Sequence, residues 1–349
     1  MSDHVDLAGH IDLAGLAAGA VPPAVLERLR GARHVLAVSH ENPDADTLGA
    51  VLGICLIAEA LGARATAIST DPIPPLYHFL PGMDRFLRDP DPAEAYDLLV
   101  LADCGSAERV GAVAARNPDL FRDLPRVIVD HHASNSDGTD WDWIDPGSAA
   151  TCEMVALLAV RLGVTLDLAD GALADALMAG IVMDTATFAH PNATPRTLAV
   201  SAALVEAGAP LSDISRRLYR TKPDAQLRLF GRVLDRLATS GDRLVIWSTL
   251  LAADFADTGS IPAHSEGIID LLAQSETAEV SMLLKEQEDG TTRLSVRTKP
   301  GGVDATVLTG TWGGGGHARA AGATVPLPLA AAVPEVCAIA GRLAAEVVR

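Results

Sequence analysis

Three side chains able to ligate a metal, His40, Asp44 and Asp46, lie within seven residues of one another, directly after the apolar run Val35-Leu36-Ala37-Val38. Imidazole with two carboxylates suits Mn²⁺, Zn²⁺, Fe²⁺ or Co²⁺ rather than a soft metal. Pro43 donates no backbone hydrogen bond and biases Asn42 away from helix, so the three side chains are expected on a loop rather than along a helix face. An Asx-rich turn beside a solvated histidine would have the same local composition. This segment alone therefore leaves both readings open.

A second cluster repeats the arrangement. Leu98-Leu99-Val100-Leu101-Ala102 ends in Asp103, and Val127-Ile128-Val129 ends in Asp130-His131-His132. Apolar runs of this length predict parallel strands buried on both faces. Open α/β folds build their sites at the carboxyl ends of such strands. Asp184 follows the apolar, small-residue segment from Ala174 to Met183 and precedes Thr185-Ala186-Thr187-Phe188. Together His40, Asp44, Asp46, Asp103, His131 and Asp184 exceed the needs of one ion. Two ions sharing a carboxylate would use them all, and such pairs serve in-line phosphoryl displacement.

The elements that must position these groups follow from periodicity. Strand signals at 33–39, 64–69, 97–103 and 126–130 alternate with helical stretches at 47–61 and 149–162, which predicts an α/β fold with a mostly parallel sheet flanked by helices. A helix-rich passage follows from Ala169 to Ala238, with Thr194-Pro195 as a cap and first-turn pair. Further strands are expected at Leu244–Trp247, Val280–Lys285 and Arg293–Thr298, the last two joined at Glu288-Asp289-Gly290, with a final helix at 329–348. The expected division is a leader at 1–23, a catalytic domain at 24–195, a helical linker at 196–240 and a smaller α/β domain at 241–349. The active-site cleft is expected between the two domains.

Composition narrows the function. A formal charge of −18 over 349 residues argues against a long nucleic-acid groove, which needs lysine and arginine to neutralise many phosphates. Short anionic substrates remain open, because bound divalent ions would offset the carboxylates locally. The four cysteines, Cys55, Cys104, Cys152 and Cys337, have no CxxC spacing and read as reduced thiols of a cytoplasmic protein. No Lys or Arg precedes Arg28, so a signal-peptide n-region is not expected, and no apolar stretch is long enough to span a membrane. The imperfect repeat at 4–15, with His4 and His10, reads as a leader rather than a metal site.

Five ordered motifs, HENPDAD at 40–46, ADCGSAER at 102–109, VDHH at 129–132, GIVMDTATF at 180–188 and GGGGHARAAG at 313–322, carry a family resemblance. The chain resembles the DHH phosphoesterases with a C-terminal DHHA1 domain, and within them the branch of bifunctional oligoribonucleases and 3′-phosphoadenosine-5′-phosphate phosphatases called nanoRNases. It departs at Ala186, where the family usually has glycine. The resemblance implies two divalent ions, Mn²⁺ foremost and Mg²⁺ or Co²⁺ as alternatives. One is implied on His40, Asp44 and Asp103, the other on Asp46, Asp103, His131 and Asp184. It further implies His132 as a contact to the scissile phosphate, Asp130 as support orienting a ligand histidine, and Arg109 outside the ligands.

The same likeness implies that Arg297, Gly314, Gly315, Gly316 and His317 hold the nucleotide end of the substrate. The glycine run can form an anion-binding nest of N–H groups, particularly before a helix. Expected substrates are short oligonucleotides, dinucleotides such as pApA, and 3′-phosphoadenosine-5′-phosphate. A homodimer is expected, with neither long nucleic acid nor membrane as partner. The competing expectations are a cyclic dinucleotide phosphodiesterase, a single-strand exonuclease and a non-catalytic nucleotide sensor.

Overall fold

Apolar side chains on successive residues of the central strands point to opposite faces of one sheet, and both faces are covered. A computed structural model describes residues 12–104, 107–135, 138–139 and 141–347. The chain divides into units at 1–221 and 222–349. In chain order the first unit contains α1 (Leu13–Ala20), α2 (Pro23–Gly31), β1 (His34–Val38), α3 (Ala45–Ala60), β2 (Arg64–Ile68), β3 (Leu98–Ala102), α4 (Ala112–Arg116) and α5 (Pro118–Asp123). It continues with β4 (Arg126–Asp130), β5 (Trp143–Ile144), α6 (Thr151–Leu162), α7 (Ala172–Asp184), α8 (Pro195–Glu206) and α9 (Leu211–Ser215), which runs into a π-helical turn at Arg216–Arg220.

The strands are parallel in the order β2-β1-β3-β4-β5. Val35, Ala37, Val100, Ala102, Val127 and Val129 pack with residues of α3, α6 and α7. Leu36, Val38, Leu99, Leu101 and Ile128 pack on the other side with Val113, Phe121 and Leu124. A strand clothed on both faces must be apolar at every position, which is why these segments are continuous rather than alternating. Helix α3 is buried from Ala45 to Ala58, consistent with its all-round apolar sequence.

Two expected boundaries change. The stretch 196–240 is not a free-standing linker: Val200, Leu204, Ile214 and Leu218 join the core of the first unit, while Leu229, Phe230 and Val233 join a cluster in the second. Amphipathic helices settle wherever an apolar face is available, so the passage is shared between the two cores. Of the expected leader, α1 is docked through Ala17 with Val21 just beyond it. His4 and His10 lie outside the described residues. On the short β5, Trp143 is buried beside Val129. Its neighbour Asp142 accepts from the Ile128 and Thr139 amides at 2.5 and 2.6 Å.

The second unit holds α10 (Asp224–Asp235), β6 (Ala238–Thr239), β7 (Val245–Leu250), α11 (Ala252–Thr258), α12 (Ile268–Leu272), β8 (Val280–Glu286), β9 (Thr292–Thr298), α13 (Ala305–Gly310), β10 (Gly315–His317), β11 (Ala320–Val325) and α14 (Leu329–Val347). Its sheet has the order β10-β11-β9-β8-β7-β6, with only β7 and β8 parallel. The alanine-rich α14 covers one face through Ala332, Val336, Ala340 and Ala344. Among the described residues no single helix is long and apolar enough to cross a membrane.

Candidate metal centre

Three strand ends, the start of α3 and the end of α7 bring the six ligand-type residues together. His40 lies just beyond β1, and the Asp44 carboxylate caps α3 by accepting from the amides of Asp46 and Thr47 at 2.9 and 3.1 Å. The loop between them is pinned from outside. Glu41 N donates to the Arg109 carbonyl at 2.7 Å, and Asn42 N, on a left-handed residue, donates to Asp71 Oδ2 at 2.8 Å. His40 Nδ1 lies 2.6 Å from the Glu41 carbonyl, which can only accept, so Nδ1–H donates there and Nε2 is the nitrogen turned to Asp103 and Asp44. Asp103 follows β3 at φ +61°, a left-handed conformation costly for a residue with a Cβ and typical of functional sites.

The distances define two sets meeting at Asp103. His40 Nε2 lies 3.5 Å from Asp103 Oδ2 and 3.9 Å from Asp44 Oδ1. On the other side His131 Nε2 lies 3.1 Å from Asp184 Oδ2, 3.5 Å from Asp103 Oδ1 and 3.9 Å from Asp46 Oδ2. Donor atoms within 4.8 Å of one another form the sets His40/Asp44/Asp103, Asp46/His131/Asp184 and Asp103/His131/His132. Asp103 thus offers one oxygen to each histidine.

Burial and mutual repulsion set the electrostatics of this cluster. Burial, then the Asp103 and Asp184 charges, push the Asp46 carboxyl well above the usual range, although two amides of α6 bond it. Burial and the Asp44 charge raise Asp103 to about 8. His131 rises to about 10: burial opposes the rise, but the Asp184 hydrogen bond and the Asp46 and Asp103 charges outweigh it. Carboxylates gathered in low dielectric hold protons unless a cation replaces them. Imidazole and carboxylate donors with this excess of negative charge fit divalent ions. The Cys104 and Cys152 thiols beside the cluster are pushed far up by burial and are not nucleophiles.

Some roles read from sequence shift. Asp130, fully buried, grips His132 rather than one of the expected ligand histidines: its Oδ1 accepts from His132 Nδ1 at 2.8 Å and from the His132 amide at 3.2 Å. The residue two positions along is the one that this strand-end carboxylate can reach. Asn135 Nδ2 holds the other oxygen of Asp130 at 2.6 Å. Arg109 supports the first loop through its backbone carbonyl. Ala186 takes φ +47°, followed by Thr187 at +58° and Phe188 at +64°, so alanine stands in a conformation that glycine adopts without strain.

Sequence reasoning missed Thr151, the first residue of α6. Its Oγ1 donates to Asp103 Oδ1 at 2.9 Å and its amide to Asp46 Oδ2 at 2.7 Å, while the Cys152 amide donates to Asp46 Oδ1 at 2.9 Å. Asp46 therefore caps a helix distant in sequence. The helices approach so closely here that a Cβ on Gly180 would lie 2.5 Å from Asp46 Oδ1. His190 and Asn192 bond the Asp184 carbonyl at 3.0 and 3.2 Å. The only sequence signal for Thr151 is a β-branched hydroxyl where an apolar helix begins.

In the second unit, Arg297 on β9 donates to Asp270 Oδ1 at 2.9 Å and lines a cavity of about 380 Å³ with Lys299, Arg319, Glu279 and Ser281. His317 is exposed on the short strand β10. The glycine run leads into that strand, not into a helix as the nest reading favoured. Gly314 and Gly316 have a packing reason of their own: an added Cβ would lie 2.4 Å from the Gly322 carbonyl oxygen and 2.5 Å from that of Ala320. Gly315 has open space around it.

Residues 34–181 match the DHH family, N-terminal domain, and residues 248–346 match the DHHA1 domain. The bifunctional oligoribonuclease and PAP phosphatase NrnA of Thermus thermophilus is 31% identical over 301 residues, covering 86% of each chain. A protein of the same name from Bacillus subtilis is 23% identical over 289 residues, 82% of this chain and 87% of its own. An exopolyphosphatase-related protein from Bacteroides fragilis superposes with a TM-score of 0.79 at 22% identity, over 91% of this chain and 96% of that one, a likeness of fold.

Proposed function

The chain belongs to the DHH family with a DHHA1 domain, hydrolases of phosphate esters, and we propose that it cleaves short oligonucleotides, dinucleotides such as pApA among them, to mononucleotides. We propose 3′-phosphoadenosine-5′-phosphate as a second substrate, in keeping with the names of the relatives. The observation that carries the reading is Asp103, with one oxygen 3.5 Å from His40 Nε2 and the other 3.5 Å from His131 Nε2.

In this proposal His40, Asp44 and Asp103 hold one divalent ion, and Asp46, Asp103, His131 and Asp184 hold the other. Mn²⁺ is the proposed metal. Bound ions of this kind supply Lewis acidity and a water acidic enough to ionise near neutral pH. The chain's own residues then orient and protonate. His132 contacts the scissile phosphate, and its bond to Asp130 holds it above the usual imidazole value, which suits donation to a leaving oxygen. Thr151 and the α6 amides keep Asp103 and Asp46 in place. Arg297 and His317 take the nucleotide end, with Gly314, Gly315 and Gly316 shaping the backbone beside them. The net charge of −18 favours short substrates over long strands.

The test is turnover of pApA, 3′-phosphoadenosine-5′-phosphate, cyclic di-AMP and a long single strand by purified protein in Mn²⁺. Hydrolysis of the first two, abolished by chelator and restored by Mn²⁺, is expected. Preference for the long strand, or turnover unaffected by chelator, overturns the proposal.

A further inference from the structure

Behind the ligands lies an ionic cluster that the chemistry described so far does not use. Glu153, in the first turn of α6, has a fully buried side chain and accepts from Arg196 Nε at 2.6 Å, Thr197 Oγ1 at 2.7 Å and the Ala149 amide at 3.2 Å. Arg196 also donates through Nη2 to Asp145 Oδ2 at 2.9 Å and Ser148 Oγ at 2.7 Å. Asp145 in turn accepts from Ser148 Oγ and the Gly147 amide, each at 3.0 Å, and its own amide donates to the Asp130 carbonyl at 3.0 Å. One guanidinium therefore joins the segment leaving β5, the start of α6 and the first turn of α8.

An ionic cluster is a poor way merely to stabilise a fold. Taking Arg and Glu out of water costs much of what their attraction returns, and well-packed apolar side chains serve stability equally well. Apolar packing cannot fix the direction of particular N–H groups. Here the N–H groups in question are those of Thr151 and Cys152, aimed at the two oxygens of Asp46. Ala150, the residue before α6, supplies no side-chain cap, so the orientation of this helix start rests on what surrounds it. Asn192 closes the arrangement, because its Nδ2 lies 3.1 Å from the Ala149 carbonyl and 3.2 Å from that of Asp184.

We propose that Arg196 is a positioning residue for the metal set built on Asp46, His131 and Asp184: by locking Glu153 and Asp145 it aims the start of α6 at Asp46 and fixes the bite of that carboxylate. This inference rests on the two-ion reading of the site. It makes a graded claim, since the set of His40 and Asp44 is held by the Asp44 cap and the bonds of Glu41 and Asn42, and meets the start of α6 only through the Thr151 bond to the shared Asp103.

The experiment is a Mn²⁺ titration of the full chain followed by the electron paramagnetic resonance signal of free Mn²⁺, with no nucleotide present. In Arg196→Met one equivalent should weaken about tenfold or more, the usual effect of losing an outer partner of a ligand, and the other distinctly less. Arg196→Lys, which keeps a charge but not the fork, should fall between. Turnover of Arg196→Met should be low at limiting Mn²⁺ and recover as Mn²⁺ is raised. Should Arg196→Met not fold, Glu153→Gln carries the same expectation, because it keeps the shape while removing the charge that holds Arg196. Unchanged binding of both equivalents in a folded variant overturns the inference, and so does equal weakening of both. An unaltered protein that fails to bind two equivalents overturns the two-ion reading first and the inference with it.

Discussion

Replacing Thr151 by valine removes a single hydroxyl and keeps the side chain's shape. That hydroxyl donates to Asp103 Oδ1 at 2.9 Å, and both residues are buried. A hydrogen bond to a charged acceptor contributes roughly 1.5–3 kcal/mol, so its loss between these two buried residues corresponds to roughly a 10- to 150-fold change in equilibrium. The backbone amide of residue 151 survives the substitution, so the clamp on Asp46 remains. Because Asp103 reaches both histidines, Thr151→Val should weaken both Mn²⁺ equivalents alike, whereas Arg196→Met should weaken one more than the other. Mn²⁺ titration gives the affinities, and kcat/KM for pApA at saturating Mn²⁺ shows how much of the loss lies beyond binding. Thr151→Ser should restore most of the function, since the donor returns without the methyl. A folded valine variant with unaltered metal affinity and turnover would refute the idea that this hydroxyl fixes the shared carboxylate.

Asp103→Ala should abolish turnover while the circular dichroism spectrum is kept; retention of substantial activity would exclude a shared carboxylate. His132→Ala should lower turnover with metal content intact, as expected of a substrate contact, and loss of one equivalent would instead make it a ligand with Asp103 and His131. The metal-free protein should lose thermal stability as pH rises: Asp103 moves from 3.8 to about 8 on folding and His131 from 6.5 to about 10, so both favour the fold when protonated and that stabilisation drains away up to those values. Added Mn²⁺ should recover more stability at high pH than at low, because binding displaces those protons; a melting temperature in EDTA that climbs with pH contradicts the charge argument. An Arg297→Ala, His317→Ala double variant should lose turnover on dinucleotides and much less on bis-p-nitrophenyl phosphate, since remote binding energy positions the scissile phosphate; equal losses on both would mean that these residues support fold or metal site.

The residues legible in the sequence were those whose roles are written in local pattern. His40, Asp103 and His131 each follow a run of apolar residues, and a strand covered on both faces leaves no other period to confuse with it. The grip of Asp130 on His132 was within reach of the same reasoning, being a two-residue contact, yet it went to the wrong histidine because strand-end geometry, not adjacency, decides it. Helices between Pro195 and Asp235 were legible as helices, but which core each would join was not, since an amphipathic face carries no address. The glycines at 314 and 316 show a related limit, because the close backbone approach they permit is chosen by a partner strand.

Thr151, Asn192 and Arg196 were invisible for a stronger reason: their contacts tie together residues far apart in the chain. The Thr151 amide meets Asp46 across a separation of 105 residues. That one bond makes Asp46 both the cap of α6 and a member of the proposed metal set, so docking α6 also shapes the cluster. The Asp46 carboxylate receives two amides but also faces Asp103 and Asp184, and burial with those charges raises its pKa. Its position is thus fixed by the fold, whatever its charge. This is the arrangement expected of a centre preorganised to take up metal, with each brace on α6 acting on affinity through the direction of two N–H groups.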